Sequence, residues 1–305
     1  MALRAVKPKH IEKRLKLFLF GEAKVGKTSA AIQFPNSYYI DTERGAENDQ
    51  YVAALAKGGS QHFPCTDLDE IVREVNALLT EKHSFRTLVI DPLTVPYNDA
   101  CDKAARELAA NSRDPKSDGT EFGRHKAKAD RIMKRLLGKL LLLDMNVIIT
   151  SHQKTKWIKV GEGFQEAGAT FDCYPKLDYL FDLILNIQRR GQQRIARVSG
   201  SRITAFPDGD EFEWSYDAIA DRYGRNLIER EAAPVALATP EQVARLTHLV
   251  DTVKLDPEIV QKWLDKAEVE MFMEMPEGVI VKCIEYVESK LVTPTAAPKE
   301  AANAL

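Results

Sequence analysis

The pattern G-x-x-x-x-G-K-T at residues 21–28 constrains this chain more than any other segment. The apolar run 15–20 precedes it and a helix-forming stretch begins at Ser29, which is the strand–loop–helix setting of a phosphate-binding loop. Glycines let successive backbone N–H groups turn toward an anion, Lys27 can reach the β and γ phosphates, and the Thr28 hydroxyl can bind Mg2+. A nucleoside triphosphate site is therefore expected. Its predicted contacts are Gly21, Glu22, Ala23, Lys24, Val25, Gly26, Lys27, Thr28 and Ser29.

Composition limits the classes of protein to which this chain can belong. With 305 residues, 44% hydrophobic and 29% charged, the chain can form one large α/β domain and a smaller appendage. A formal net charge of −2 excludes a general attraction to polyanions, so nucleic acid would have to bind at local basic patches. The four cysteines lie far apart, which argues against a zinc site or a disulfide framework. No segment reaches roughly eighteen uninterrupted apolar residues, and we expect a cytoplasmic protein.

Short apolar runs alternate with helical patterns along the first three quarters of the chain. The runs are 15–20, 37–40, 87–90, 146–150, 181–187 and 194–198. This alternation predicts an α/β fold with a mainly parallel sheet flanked by helices, and residues 188–193 predict a hairpin turn that adds an antiparallel strand. Residues 124–143 predict a helix. The predicted divisions are a P-loop domain over 1–230, a linker over 231–238, a small helical module over 239–292 and a disordered tail over 293–305.

Acidic residues at the ends of two predicted strands are candidates for roles in hydrolysis of the nucleoside triphosphate. Glu43 follows a predicted second strand and is the candidate general base, with Asp41 as its support. Alternatively, either acid caps the next helix. Asp91 ends the buried run 87–90, which is the Walker B pattern, and we expect it to hold Mg2+ opposite Thr28.

The fourth strand ends in Ser151-His152-Gln153, and the Gln153 amide can contact the γ phosphate and report its presence to the segment that follows. That segment, 154–172, is predicted to be a glycine-containing loop that contacts single-stranded DNA. Its lysines can neutralise phosphates, and an aromatic ring such as that of Trp157 can stack on a base. The alternative is a solvated surface loop. The candidate residues in this loop are Lys154, Lys156, Trp157 and Lys159.

A second polar insert, 111–130, leads into the basic helix. Between residues 124 and 139, seven basic residues stand against one acidic residue. Such a run is usually a solvated helix face, but its expected position opposite the 154–159 segment predicts a shared basic groove containing Lys126 and Lys128. His125 and His152 could be sensors or surface residues.

In their order and spacing, these motifs resemble those of the RecA-type recombinase core over about residues 12–230. The resemblance rests on Ile40-Asp41-Thr42-Glu43, His152-Gln153, and the 187–191 segment, and segments 214–216 and 221–224 are most similar to RecA-like nucleotide-binding proteins of bacteriophages, some of which anneal single strands. It implies that Glu43 is the catalytic glutamate, that Gln153 is the γ-phosphate sensor and that both inserts are DNA-binding loops. The catalytic set is then Lys27, Glu43, Asp91 and Gln153, with Mg2+ at Thr28 and Asp91.

The same resemblance implies ATP sites at subunit interfaces and assembly into rings or filaments on DNA. Lys176, Arg189 and Arg190 are the candidates for a positive charge that acts on a neighbour's site. The resulting hypothesis is a Mg2+-dependent ATPase that binds single-stranded DNA and promotes annealing or homologous recombination. The rivals are an ATP-dependent replication accessory or loader that contacts a protein partner through 239–292, and a small-molecule kinase, which the lack of an arginine-rich lid disfavours.

Overall fold

The computed structural model describes residues 12–114, 116–267 and 269–292. The predicted disordered tail, 293–305, lies outside these ranges. The strands are β1 Lys16–Gly21, β2 Ser37–Asp41, β3 Gln61–Pro64, β4 Thr87–Asp91, β5 Asn146–Val160, β6 Gly163–Asp172, β7 Leu183–Arg190, β8 Gln193–Ser201 and β9 Glu211–Glu213. The helices are α1 Lys27–Ala31, α2 Asp49–Lys57, α3 Leu68–Thr80, α4 Thr94–Ala110, α5 Arg124–Leu142, α6 Tyr216–Tyr223, α7 Arg225–Ile228, α8 Pro240–Val253, α9 Pro257–Ala267 and α10 Glu277–Val292.

The strands form one mixed sheet in the order β3-β2-β4-β5-β1-β7-β8-β9, and β6 pairs with β5 outside this path. The strands from β3 to β7 along this path run parallel, whereas β8 and β9 are antiparallel additions. The tight turn between Arg190 and Gln193 is the hairpin predicted at 188–193. The predicted α/β fold, with a mainly parallel sheet and flanking helices, is therefore confirmed.

The central strands are buried along their whole length. Every residue of β1 and of β4 is buried, as expected for parallel strands covered on both faces, which read as continuous apolar runs. On one side the helices α3, α4 and α5 pack against one another, and α5 has the bounds predicted for it to within one residue. A separate apolar cluster joins β1, β7 and β8 to α1 and α6. This packing fixes the carboxyl ends of β1, β2 and β4 at one edge of the sheet, beside His152 of β5.

The segment predicted to be a DNA-contacting loop is instead a β-hairpin. Strand β5 does not end at Thr150 but continues to Val160, and β6 returns antiparallel to it. Gly161 takes a φ of 61°, the left-handed region that two-residue hairpin turns require at their first position. Its polar, exposed residues made it look like a loop, because a ribbon with both faces in water has no apolar strand pattern.

The chain divides into two compact units between Pro234 and Val235. In the second unit, α8 begins with a capping box: the Thr239 hydroxyl accepts the Gln242 N–H at 3.2 Å, and the Gln242 side-chain oxygen accepts the Thr239 N–H at 2.9 Å. The core of this unit includes Leu246, Met275, Ile280 and Val287, all fully buried. Within the described ranges, no helix has both the length and the hydropathy to cross a bilayer.

Candidate functional site

A pocket opens at the carboxyl edge of the sheet, where the predicted phosphate-binding loop meets the ends of β2, β4 and β5. Its walls combine loop residues with acids and bases from the neighbouring strand ends. The lining residues are Ala23, Lys24, Gly26, Lys27, Thr28, Ser29, Glu43, Tyr51, Asp91, Pro92, His152 and Arg194. Most of the predicted nucleotide and catalytic residues are therefore brought together, and Gln153 is the exception among the catalytic set.

Glycine is sterically required at both ends of the loop. A Cβ on Gly21 would lie 2.4 Å from the carbonyl oxygen of Ile187. Gly26 has a φ of 100°, and a Cβ there would lie 2.2 Å from Cδ of Arg194. The indole N–H of Trp214 donates to the Gly26 carbonyl at 2.9 Å and anchors the loop from the far side. The backbone of the loop is thus held in a shape from which its N–H groups can reach phosphate oxygens.

Lys27 lies at the base of this loop. Its Nζ donates to the carbonyl oxygens of Gly21 at 2.8 Å and Glu22 at 2.7 Å. Burial lowers the pKa of the Lys27 ammonium, whereas the nearby charges of Asp91 and Glu43 act to raise it. A bound phosphate would replace the two carbonyl oxygens as the acceptors of the Lys27 hydrogen bonds. Its full negative charge would make these hydrogen bonds stronger, so this position favours an anion.

Thr28 and Asp91 form the predicted metal pair. The Thr28 hydroxyl donates to Oδ2 of Asp91 at 2.6 Å, and Asp91 also accepts hydrogen bonds from the hydroxyls of Tyr39 and Thr150. Burial and the Asp91 charge raise the pKa of Tyr39 well above its usual value, so its hydroxyl stays a donor. One hydroxyl and one oriented carboxylate are the few protein oxygens that Mg2+ uses when it also binds phosphates. The residues present therefore fit Mg2+ with a nucleoside triphosphate.

The two acids that follow β2 have different surroundings. Oδ1 of Asp41 accepts the backbone N–H groups of Glu43 and Gly45, each at 3.1 Å, and its Oδ2 lies 3.2 Å from Nε2 of His62. Asp41 is buried, and these two hydrogen bonds hold the turn that carries Glu43. Its support role in catalysis stays a prediction. The Glu43 side chain is exposed to the pocket, and its Oε1 lies 3.0 Å from Nε2 of His152. Glu43 therefore has the accessibility that a general base needs.

His152, and not Gln153, lines the pocket. Successive strand residues point to opposite faces of a sheet, so only one of the two side chains can face the nucleotide. Oε1 of Gln153 instead accepts from Nδ2 of Asn186 at 2.9 Å, and Oδ1 of Asn186 accepts from Nε2 of Gln188 at 2.7 Å. The sensor role of Gln153 stays a prediction, and the geometry adds His152 as a competitor for it.

The hairpin presents two aromatic rings, one lysine and one carboxylate on one face. Trp157 is directly opposite Glu166, and Lys159 is directly opposite Phe164, so these four side chains share a face. Trp157 is 60% exposed and Phe164 is 73% exposed. Lys154 forms an ion pair with Asp172 at 2.9 Å, which compensates its charge.

The basic surface of α5 is smaller than its sequence predicts. Lys126 is exposed, but Nζ of Lys128 lies 2.6 Å from Glu107. Lys139 is buried and donates to Oδ1 of Asn76 at 2.9 Å, so it belongs to the core and not to a groove. Helical spacing alone does not separate a solvated lysine from one whose tip bonds inside the protein.

Among the proposed trans-acting cations, Arg190 is already engaged. Its two terminal nitrogens each lie 2.7 Å from an oxygen of Glu211. The Arg189 Nε donates to the Gly191 carbonyl at 3.0 Å. Sequence reasoning missed Tyr51, Arg194 and Trp214 as neighbours of the loop, because their proximity depends on tertiary packing and no local pattern marks it.

A protein family whose model matches the chain covers the segments that form this pocket. A family model described as an AAA domain (AAA_24) matches residues 13–206, which is more than half of the chain. No curated protein matches the chain. A solved structure described as the crystal structure of the RadB recombinase is similar to the chain with a TM-score of 0.39 and 16% sequence identity, over 66% of this chain and 86% of that one. The predicted P-loop ATPase core is confirmed by the family match, and the chain belongs to this AAA domain family of P-loop ATPases.

Proposed function

We propose that this P-loop ATPase binds single-stranded DNA through the hairpin β5–β6, under the control of ATP, in strand annealing or homologous recombination. One observation carries the proposal: β5 extends as one strand from the nucleotide pocket at His152 to the exposed ring of Trp157, with a β-bulge between Thr155 and Trp157. One β-strand thus passes the nucleotide pocket and continues into a surface suited to nucleic acid.

The geometry of the pocket supports the following roles for its residues. Lys27 and the loop N–H groups bind the phosphates, while Thr28 and Asp91 hold Mg2+. When bound, Mg2+ neutralises charge on the phosphate oxygens. Glu43 accepts a proton from the attacking water, and its contact with His152 holds the carboxylate at the mouth of the pocket.

The DNA contact uses two kinds of interaction. Stacking of a base on Trp157 or Phe164 contributes about 1–3 kcal/mol per base and does not depend strongly on sequence. Lys156 and Lys159 have no ionic partner among the residues that the structure describes, so they are available to neutralise phosphates. The net charge of −2 makes this local pairing necessary, because the chain as a whole does not attract DNA.

Control of DNA binding by ATP requires a structural element that has two states, and β5 is the candidate. Glu43 and His152 bond across the pocket in the structure, and the backbone N–H of His152 donates to the Thr94 hydroxyl at 2.9 Å. A γ phosphate competes with the first of these contacts, and a small shift of β5 moves the hairpin with it. ATP and DNA then favour the same state, which gives reciprocal coupling of their affinities.

We extend the proposal to assembly. The resemblance to RecA-type proteins implies a homo-oligomeric ring or filament on DNA with ATP at subunit interfaces. Because Arg190 pairs with Glu211, Lys176 and Arg189 are better candidates than Arg190 for a charge that reaches a neighbour's site. The encoding of the protein by a bacteriophage belongs to this same proposal.

An ATP-dependent replication accessory or loader is the second candidate. Its specific support is the exposure of large apolar side chains in the second unit, with Met271 49% and Met273 57% exposed. This function predicts that Met271→Ser with Met273→Ser weakens binding to a replication protein and leaves DNA binding intact.

The test of the proposal is the affinity for a fluorescently labelled single strand, measured by anisotropy with a non-hydrolysable ATP analogue and without nucleotide. We expect tighter binding with the analogue and at least a fivefold loss in Trp157→Ala. Tyr179→Ala is the matched control, because Tyr179 is 71% exposed but lies outside the hairpin. Equal losses in both variants, or no binding by the wild type, would contradict the proposal.

A further inference from the structure

We propose that Arg194 is a second cationic ligand of the nucleotide site, which binds the α and β phosphates in the same subunit as the phosphate-binding loop. The inference concerns the nucleotide pocket of the P-loop ATPase and does not depend on binding to DNA. It starts from a residue of β8 that no local sequence pattern connects with residues 21–28.

The Arg194 side chain crosses directly over Gly26: its Cδ and Nε lie 2.2 and 2.3 Å from the point that a Cβ on Gly26 would occupy. A Cβ would occupy this space, and the left-handed φ of 100° at Gly26 independently favours glycine. The guanidinium therefore reaches the pocket beside Lys24, Lys27 and Thr28.

Trp214 hydrogen-bonds both to Arg194 and to the phosphate-binding loop. The backbone N–H of Trp214 donates to the Arg194 carbonyl at 2.8 Å, and its indole N–H donates to the Gly26 carbonyl at 2.9 Å. The Trp214 ring is 4% exposed, so it is fixed by the core. One buried residue thus connects the strand that carries Arg194 to the loop, and the backbone of Arg194 is held beside the loop before a nucleotide binds.

Within residues 12–114, 116–267 and 269–292, Arg194 has no carboxylate in ion-pair distance, whereas Arg190 pairs with Glu211 and Arg222 pairs with Asp210. A guanidinium without an acidic partner, at the rim of an anion site, matches phosphate oxygens with two parallel N–H donors.

The position of Arg194 also indicates which phosphates of the nucleotide it binds. In loops of this type the backbone N–H groups surround the α and β phosphates, and Arg194 packs on Gly26, the loop residue directly before Lys27. The γ end of the pocket is marked by Glu43 and His152. We therefore assign Arg194 to the diphosphate that ATP and ADP share.

Two variants separate charge from packing. Arg194→Met keeps the apolar stem over Gly26 and removes the charge, and Arg194→Lys keeps a charge without the planar fork. Arg197→Met is the matched control, since Arg197 is exposed on the same strand three residues further on and faces the other side of the sheet.

The experiment measures dissociation constants by calorimetry for ADP, a non-hydrolysable ATP analogue and inorganic pyrophosphate, with Mg2+. We expect Arg194→Met to weaken all three about five- to tenfold, with Arg194→Lys in between and Arg197→Met unchanged. Wild-type affinities in Arg194→Met would overturn the proposal and leave the side chain a packing role. A loss for the ATP analogue alone, or for ADP but not pyrophosphate, would overturn it too.

A folding control keeps these outcomes interpretable. All variants are first compared by thermal unfolding without nucleotide. If Arg194→Met does not fold, the comparison rests on Arg194→Lys, where an unchanged affinity for ADP and pyrophosphate would again overturn the proposal. A failure of DNA binding in the wild type would leave these predictions unchanged.

Discussion

Nε2 of His152 and Oε1 of Glu43 lie 3.0 Å apart across the mouth of the nucleotide pocket. This contact joins the turn after β2 to the strand that continues into the exposed hairpin. The proposed general base and the proposed DNA-binding element are therefore one hydrogen bond apart, and their coupling can be tested by changing either residue.

Glu43→Gln should retain ATP binding and lose turnover. The amide cannot accept the proton of the attacking water, and loss of a general base costs about 100- to 10,000-fold in rate. Nucleotide affinity by calorimetry and phosphate release give the two readings. Normal hydrolysis in this variant would show that Glu43 is not the base.

His152→Ala and Gln153→Ala decide which residue is the sensor. The sequence favours Gln153, whereas the pocket geometry favours His152. We expect His152→Ala to keep nucleotide affinity but abolish the effect of the ATP analogue on DNA affinity. Gln153→Ala should keep that effect. The opposite pattern would restore the role predicted for Gln153.

Thr28→Val should remove the contribution of Mg2+ to nucleotide binding. The variant has a similar shape but lacks the hydroxyl that donates to Asp91 at 2.6 Å and that would bind the ion. We expect the ratio of ATP affinities with Mg2+ and with EDTA to fall by at least tenfold, and Thr28→Ser to keep most of it. A ratio like that of the wild type would show that Mg2+ binds through ligands other than Thr28.

Lys16 predicts a pH dependence of stability. Its Nζ donates to the carbonyls of Leu140, Leu143 and Met145 at 2.8, 2.9 and 3.1 Å, and burial lowers its pKa to about 7, opposed by Asp144. The unfolded value is about 10.4, so between these pH values the folded state binds fewer protons. The free energy of unfolding should therefore rise with pH, by at most about 1.4 kcal/mol per pH unit from this group.

The measurement is urea unfolding at pH 7.5, 8.5 and 9.5 for the wild type and Lys16→Met. The difference between the two proteins cancels the opposite contribution of buried thiols such as Cys173, whose pKa burial raises to about 12. The variant should show the smaller rise. An identical rise in both proteins would mean that Lys16 does not lose its proton in this range.

Much of the nucleotide pocket could be predicted because its residues follow from local rules. The loop 21–28 has a fixed spacing, and buried parallel strands such as β1 and β4 read as continuous apolar runs that end at one edge of the sheet. Glu43 and Asp91 could therefore be placed in the pocket before the fold was known.

The hairpin could not be predicted in this way. Residues 154–172 have both faces in water, so no apolar alternation distinguished strands from a loop. Edge strand β3, with exposed and half-buried residues, was missed for the same reason. Arg194 and Trp214 reach the loop only through the packing of β8 and β9 beside β7, which no short sequence window encodes.

The most direct test of the account is the rate of ATP hydrolysis with and without single-stranded DNA, in the wild type, Lys27→Ala and Trp157→Ala. The account predicts stimulation by DNA in the wild type, no hydrolysis in Lys27→Ala, and basal hydrolysis with little stimulation in Trp157→Ala. A wild-type rate that does not respond to DNA would contradict it.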